Sequence, residues 1–344
     1  MIEVNAFKND LLTWFHENKR QMPWRETKDP YYIWLSEVML QQTQVNTVRP
    51  YYKAFIERFP TIQALSESQE DDVLKYWEGL GYYSRVRNFH EAVKEVHHNY
   101  NGTVPSQPDE FIKLKGVGPY TNAAVMSIVH NHPLPAVDGN VLRVWSRLNN
   151  NHSDIALQST KKTFEAELQP FVESESGDFN QAMMELGATM CTPKKPLCLM
   201  CPVQSHCQAF ENGTIDQLPV KKKKVKKKTI DYFVLYITNR NGDILVRQRD
   251  TKLLNGMWEF PMFESDTSIH TIEDELDAVI DMQTEPIFTT KHIFTHMTWN
   301  MKVIRAFTQK SDVEYPYKWM SKNEKEALSF STSMSKIFNK INEV

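Results

Sequence analysis

At 344 residues, 41% of them hydrophobic and 24% charged, the chain is too long for one core of ordinary size and too apolar to be disordered. No apolar run approaches the roughly 18 residues of a membrane helix, and the N-terminal MIEVNAFKND lacks a signal-peptide pattern, so a mature, cytoplasmic chain without a membrane partner is expected. The net charge of −3 hides an asymmetry: residues 1–218 carry 20 Lys+Arg against 26 Asp+Glu, and the basic excess lies beyond them. Nucleic-acid binding by the first part would need local patches and backbone amides, because no global positive field exists.

From Asp10 to about Ala209 the pattern is helical. Asp29 as N-cap and Pro30 at the first helical position open YYIWLSEVMLQQTQV. Ser66 with Gln69 three residues later predicts a capping box for DDVLKYWEGLG, which Gly79 and Gly81 stop. Pro108-Asp109-Glu110 starts another helix, predicted to end at Gly116. Gly116-Val117-Gly118 then separates it from a helix whose first residue is Pro119, a helix-hairpin-helix pattern. Glycines there let the backbone approach a phosphate, whose oxygens the helix N-terminal N–H groups would bind without regard to base sequence. A plain interhelical turn fits the two glycines equally well. Twenty residues on, AVDGNVLRV places Asp138 in a bend after an apolar run.

All four cysteines follow in CTPKKPLCLMCPVQSHC: Cys191, Cys198, Cys201 and Cys207. A cytosolic chain disfavours two disulfides, and structural zinc usually shows two Cys-x2-Cys knuckles where this loop has one. Four thiolates in so compact a loop suit a cubane iron–sulfur cluster, one cysteine per iron. Lys194 and Lys195, between prolines in the first loop, are either two solvated charges or cations offered to phosphate. LPVKKKKVKKK is a basic, low-complexity linker. Beyond it the period changes to that of strands. TIDYFVLYITNRNGDILVRQR reads as two strands about Asn241-Gly242, and HIFTHMTWNMKVIRAF as further strands of an α+β domain.

Glu37 is the only acid in YYIWLSEVMLQQTQV, and on a helical wheel its neighbours are Ile33, Trp34, Leu40, Gln41 and Gln44. On that face a carboxyl is desolvated and its pKa rises, as a general acid near neutral pH requires. An exposed glutamate on the helix's polar edge is the plainer alternative.

The cysteine spacing is similar to the cluster loop of the endonuclease III family of DNA glycosylases. Hairpin, downstream aspartate and cysteine loop, in that order, resemble its superfamily over roughly residues 1–210. MPWRETKDPYYIWLSEVMLQQTQV, GLGYYSRVRN and MELGATMCTPKKPLC resemble the MutY-type adenine glycosylases, and an appended second domain is that family's hallmark. The resemblance implies an all-α helix-hairpin-helix domain with a 4Fe–4S cluster loop (1–217), a basic linker (218–229) and an α+β Nudix-like domain (230–344). It implies a monomeric base-excision repair enzyme, associated with the nucleoid. Its substrate would be double-stranded DNA carrying adenine opposite 8-oxoguanine or guanine.

Residue by residue, the resemblance gives Glu37 the protonation of adenine N7 and Asp138 the stabilisation of the oxocarbenium-like sugar and delivery of water to it. The two acids would need opposite tuning, one protonated and buried, the other ionised and hydrogen-bonded. Asn140 and Tyr120 would support the developing charge. Trp24, Arg25, Leu40 and Glu185 would form the pocket for the flipped adenine. Gln42, Thr43, Leu80 and Tyr82 would contact or wedge beside the 8-oxoguanine, and Gly116, Gly118, Lys194 and Lys195 would grip the backbone. Phe294-Thr295-His296 matches the family's 8-oxoguanine-reading loop, with threonine where serine is common. Bifunctional members of the superfamily carry a Schiff-base lysine at the position of Tyr120, so a monofunctional enzyme is expected. HTIEDELDAVI lacks the metal-binding helix of an active Nudix enzyme, so nucleotide hydrolysis is not expected. A pyrimidine-specific cluster glycosylase or a non-catalytic mismatch binder fits the acid pair and the second domain less well.

Overall fold

The computed structural model describes residues 2–222, 228–294 and 296–343. It divides into two compact units, Met1–Ser68 with Ser84–Lys223, and Gln69–Tyr83 with Lys224–Val344. Among the described residues no helix is long and apolar enough to cross a membrane.

The first unit is helical. Its elements begin with α1 (Val4–Asn18), α2 (Pro30–Leu40), α3 (Val45–Arg58) and α4 (Ile62–Ser66). The chain then passes through α5 (Glu70–Lys75), which belongs to the second unit, and returns with α6 (Ser84–Asn99), α7 (Pro108–Phe111) and α8 (Pro119–His130). The remainder is α9 (Gly139–Leu148), α10 (Gln158–Leu168), α11 (Ser176–Thr189) and the short α12 (Gln208–Glu211). Phe7, Leu11 and Phe15 of α1, Val141 and Trp145 of α9, and Phe179 and Met183 of α11 share one buried cluster. A second aromatic seam joins Trp34 of α2 to Phe89 and Phe111, edge-on at 4.8 and 5.1 Å.

Three helix boundaries differ from the sequence expectation, each for a local reason. Asp29 does cap α2, its carboxylate accepting from the Tyr31 N–H at 2.8 Å, but the helix ends at Leu40 and not at Val45. Gln42 sits at φ 58°, where a helix cannot continue. Ser66 caps nothing. Thr61 is the N-cap of α4, Ser66 closes that helix by donating to the Gln63 carbonyl, and Gln69 occupies the N-cap position of α5. The helix opened by Pro108 is a single turn ending at Phe111, not a run to Gly116.

The second unit is built on a mixed sheet. Its strands are β1 (Lys228–Thr238), β2 (Ile244–Gln248), β3 (Trp258–Glu259), β4 (Met262–Glu264), β5 (Asp281–Met282), β6 (Phe288–Ile293), β7 (Met297–Phe307) and β8 (Tyr317–Met320). The main path runs β3-β2-β1-β7-β5, with β1 and β7 parallel, Val234 facing Val303, and the remaining pairs antiparallel. Successive side chains alternate between faces. Val234 and Tyr236 pack with Ile337 and Phe338 of α14 (Thr332–Glu343), whereas Leu235 and Ile237 pack with Ile272 and Leu276 of α13 (Ile269–Leu276). The expected turn at Asn241-Gly242 is present, with Gly242 at φ 80° and the Asn239 amide oxygen accepting from the N–H groups of Asn241 and Asp243.

Gln69–Tyr83 clusters with this unit although 140 residues of the first unit follow it in sequence. Ser329 donates to the Asp71 carbonyl at 3.3 Å, and Ser335 to the Glu78 carboxylate at 2.7 Å.

Candidate active site and cysteine loop

A cavity of about 640 Å³ opens in the first unit between α2, α8, α9 and α11. Glu37, Tyr120, Asp138, Asn140, Trp24, Arg25, Leu40, Gln42, Thr43 and Glu185 all line it. The sequence reading thus named groups that the fold collects around one space.

Glu37 is 7% exposed on the cavity side of α2. Burial pushes its carboxyl up to about 7, opposed by one donor, the Tyr120 hydroxyl, at 2.9 Å from Oε2. Tyr120 is the second residue of α8, placed there by Pro119 at the first position. Its hydroxyl also lies 3.2 Å from the Met184 sulfur, but the carboxylate is the stronger acceptor for its single proton.

Asp138 is the N-cap of α9. Oδ1 accepts from the N–H groups of Asn140 and Val141, each at 2.8 Å, and Oδ2 from the Asn140 amide at 2.8 Å. Arg143, one turn on, donates to the Asn140 amide oxygen at 2.9 Å, which fixes the NH2 toward Asp138. Burial raises the Asp138 carboxyl too, while these donors pull it down. The expected opposite tuning is therefore a difference of partners: both acids are raised, Glu37 against one phenol and Asp138 against three N–H donors.

Glu185 is 2% exposed, yet its carboxyl lies below the usual value. Burial alone would raise it, but the Arg20 fork at 2.6 and 3.0 Å and Arg25 at 2.9 Å outweigh that. Arg20 is a cavity residue that the sequence reading missed; nothing in KRQMPWR marks it apart from charge. Lys161, also missed, lines the same cavity and pairs with Glu165 at 3.9 Å. Arg85 is a third. It donates to the carbonyls of Val38 and Met39 at 3.0 Å and to that of Gln41, the end of α2, and reaches the Thr43 hydroxyl at 3.3 Å. A cation at a helix C-terminus is favourable, and here it also holds the Gln41–Thr43 bend.

Gly116 lies at φ 80°, and a Cβ there would come within 2.7 Å of the Asn88 Cβ. Gly118, the N-cap of α8, has ordinary φ and nothing within 4 Å of a Cβ position. Gly116 is thus needed by the fold itself, while Gly118 is not. Lys194 and Lys195 are exposed. Leu80, Tyr82, Phe294 and His296 belong to the second unit. There Leu80 is buried at 6% exposure, Tyr82 is 44% exposed at φ 49°, and Phe294 N–H closes a tight turn onto the Met297 carbonyl at 2.8 Å. Thr295 lies outside the described residues.

The four cysteines carry free thiols and line one apolar cavity with Val144, Leu148, Leu186, Met190 and Val203. Arg147 donates to the Cys191 sulfur at 3.3 Å. Burial pushes Cys201 up to about 12 and raises Cys198 and Cys207, so these thiols ionise only against a strongly positive centre. Among the described residues, no three His, Cys, Asp or Glu side chains are placed for a single metal ion. Four thiols around one space match the donor set of a cubane cluster, one cysteine per iron.

Three family models match: "HhH-GPD superfamily base excision DNA repair protein" over residues 35–173, "Iron-sulfur binding domain of endonuclease III" over 191–207, and "NUDIX domain" over 233–340. The four cysteines hold a 4Fe–4S cluster, which when bound ties the loop by covalent iron–sulfur bonds. An adenine DNA glycosylase of Buchnera aphidicola (subsp. Baizongia pistaciae) is 33% identical, covering 98% of this chain and 97% of its own length. That of Buchnera aphidicola (subsp. Schizaphis graminum) is 36% identical over 86% of each chain, and the human enzyme 30% identical over 98% of this chain and 74% of its own. Among solved structures, a thermostable thymine-DNA glycosylase aligns with TM-score 0.55 and 28% identity, covering 60% of this chain and 96% of that one. A trapped endonuclease III–DNA covalent intermediate aligns at TM-score 0.53 and 23% identity, over 61% of this chain and 96% of that one, and so shares the helical fold. With relatives at this identity over nearly its whole length, the chain belongs to the adenine DNA glycosylase family of base-excision repair enzymes, which act on N-glycosyl bonds.

Proposed function

We propose that the enzyme removes adenine opposite 8-oxoguanine, and less readily opposite guanine, by hydrolysis without strand cleavage. One observation carries the reading: a carboxyl raised to about 7 stands in a cavity of base-accepting size, hydrogen-bonded to a tyrosine and facing a second acid. Glu37 gives its proton to adenine N7, the C1′–N9 bond breaks with its electron pair on adenine, and water adds to C1′. The water's proton returns to the Glu37 carboxylate. Asp138, with Asn140 fixed against it, faces the cationic sugar. The flipped base would lie among Trp24, Arg25 and Leu40. Glu185 already accepts from two guanidinium groups, so its part is to aim Arg20 and Arg25 into the pocket.

In this reading a catalytic domain (1–217) is joined by a basic linker (218–229) to a lesion-reading domain (230–344), and the protein works as a monomer on genomic DNA in the cytoplasm. The hairpin amides, Lys194 and Lys195 hold phosphates. Gln42, Thr43, Leu80 and Tyr82 address the opposing base, which Phe294-Thr295-His296 reads. Single-turnover excision on duplexes with adenine opposite 8-oxoguanine, adenine opposite guanine, and oxidised pyrimidines tests it. The expected order is the first fastest and the last inert; activity on pyrimidines would overturn the assignment.

A further inference from the structure

The second unit contains a buried ion pair. Glu259 is 4% exposed, burial raising its carboxyl, and it accepts from Arg249 just past the end of β2. The same guanidinium donates to the Leu253 carbonyl and the Thr251 hydroxyl, both at 3.0 Å. Replacing such a pair by apolar side chains is often neutral or stabilising, so its presence is weak evidence of a stabilising role. Its outer face is occupied. The guanidinium carbon stands 5.3 Å over the ring of Trp299, which is 2% exposed and whose indole N–H has no hydrogen-bond partner among the described residues. Trp299 in turn meets the ring of Phe294 edge-on at 4.6 Å, and Phe294 meets His292 at 4.5 Å. Phe294 begins the β6–β7 turn.

We propose that Arg249 is a positioning residue for lesion specificity: clamped by Glu259, it fixes Trp299, and Trp299 fixes Phe294 and thereby the turn at 294–296. An indole with no hydrogen bond to orient it is held by its ring contacts, here the edge-on rings of Tyr232 at 5.4 Å and Phe294 and the Arg249 cation on its face. The contacts form an unbroken series from the buried ion pair to Phe294, where the turn begins. The inference rests on the assignment of Phe294-Thr295-His296 as the 8-oxoguanine reader.

The test compares single-turnover rates on adenine opposite 8-oxoguanine and opposite guanine for the full-length protein. Arg249→Met combined with Glu259→Gln removes the clamp without leaving a buried charge unpaired. It should lower the rate ratio by about fivefold or more, with the guanine rate little changed. Arg249→Lys, which keeps a cation on the ring without the fork, should fall between. Trp299→Phe gives an independent reading through a weaker cation contact, and should shift the ratio in the same direction. Thr295→Ala and His296→Ala run in parallel as reporters of the reader. If they lower the ratio while the folded Arg249 and Trp299 variants keep it, the positioning role is wrong and the reader stands. If none of the variants moves it, the reader assignment fails, and the positioning role with it.

Discussion

Burial sets the working range of Glu37. With its carboxyl raised to about 7, the proton-donating form dominates below that pH, so excision should fall about tenfold per pH unit above it, level off below it, and fall again at acid pH as Asp138 takes up a proton. Glu37→Gln and Asp138→Asn should each slow single-turnover excision by about 10²–10⁴-fold while gel-shift affinity for the lesion duplex persists. The same shift acts on stability with a definite sign. A carboxyl with a higher pKa folded than unfolded disfavours the fold as pH rises from about 4.5 through 7, because the unfolded chain ionises first. Glu37→Gln should therefore raise the melting temperature at pH 8, by an amount worth up to about 3 kcal/mol, and lose that advantage below about pH 4.5. A destabilised Glu37→Gln protein at pH 8 would show that the carboxylate is better solvated than its burial indicates. With Tyr120 at the start of α8, borohydride should trap little covalent adduct from the native enzyme, and Tyr120→Lys should trap more. Efficient native trapping abolished by Lys161→Ala would move the amine role to that residue. Glu37 was legible from the apolar and amide residues on its helix face and Asp138 from the Gly/Asn bend that holds it, their roles coming from the family resemblance; Arg20, Lys161 and Arg85 were not legible, since a charge acquires its partners only through the fold.

Two glycines of one hairpin make different demands. Gly116→Ala forces a Cβ onto Asn88 and puts alanine at φ 80°, so it should destabilise the fold by more than about 1 kcal/mol in urea melts. Gly118→Ala meets nothing among the described residues and should leave stability unchanged, yet weaken duplex affinity severalfold if a phosphate comes against that backbone. Equal affinity for both substitutions and the native protein would remove the hairpin from the DNA interface. Elements with strong punctuation were readable: Asp29-Pro30 opened α2, and Asn241-Gly242 turned β1 into β2. Ends fixed by distant partners were not. Nothing local predicts that α2 stops at Leu40, because the bend after it is held by Arg85, 44 residues away from Gln41. The capping box at Ser66 failed for the opposite reason. Thr61 stood five residues earlier and capped a short helix that consumed Ser66.

Removing residues beyond Leu218 should leave adenine excision opposite guanine largely intact and abolish the preference for 8-oxoguanine; a truncated chain that discriminates as well as the whole would exclude the second unit from reading. The change of periodicity at the lysine run foretold a second, strand-rich unit. It could not foretell that Gln69–Tyr83 clusters with it, since that segment reads as one more helix in a helical stretch. The second unit is consequently discontinuous along the chain, and synthesis runs in one direction. The Leu80–Tyr82 turn leaves the ribosome some 250 residues before Ser335, which at ordinary elongation speeds is a wait of roughly 10–50 s. During that interval the first unit can fold while the serine partners of this segment do not yet exist. The nascent protein thus has its cavity before the Gln69–Tyr83 segment is fastened, and protease sensitivity near Tyr82 in ribosome-bound chains should disappear only after α14 has emerged.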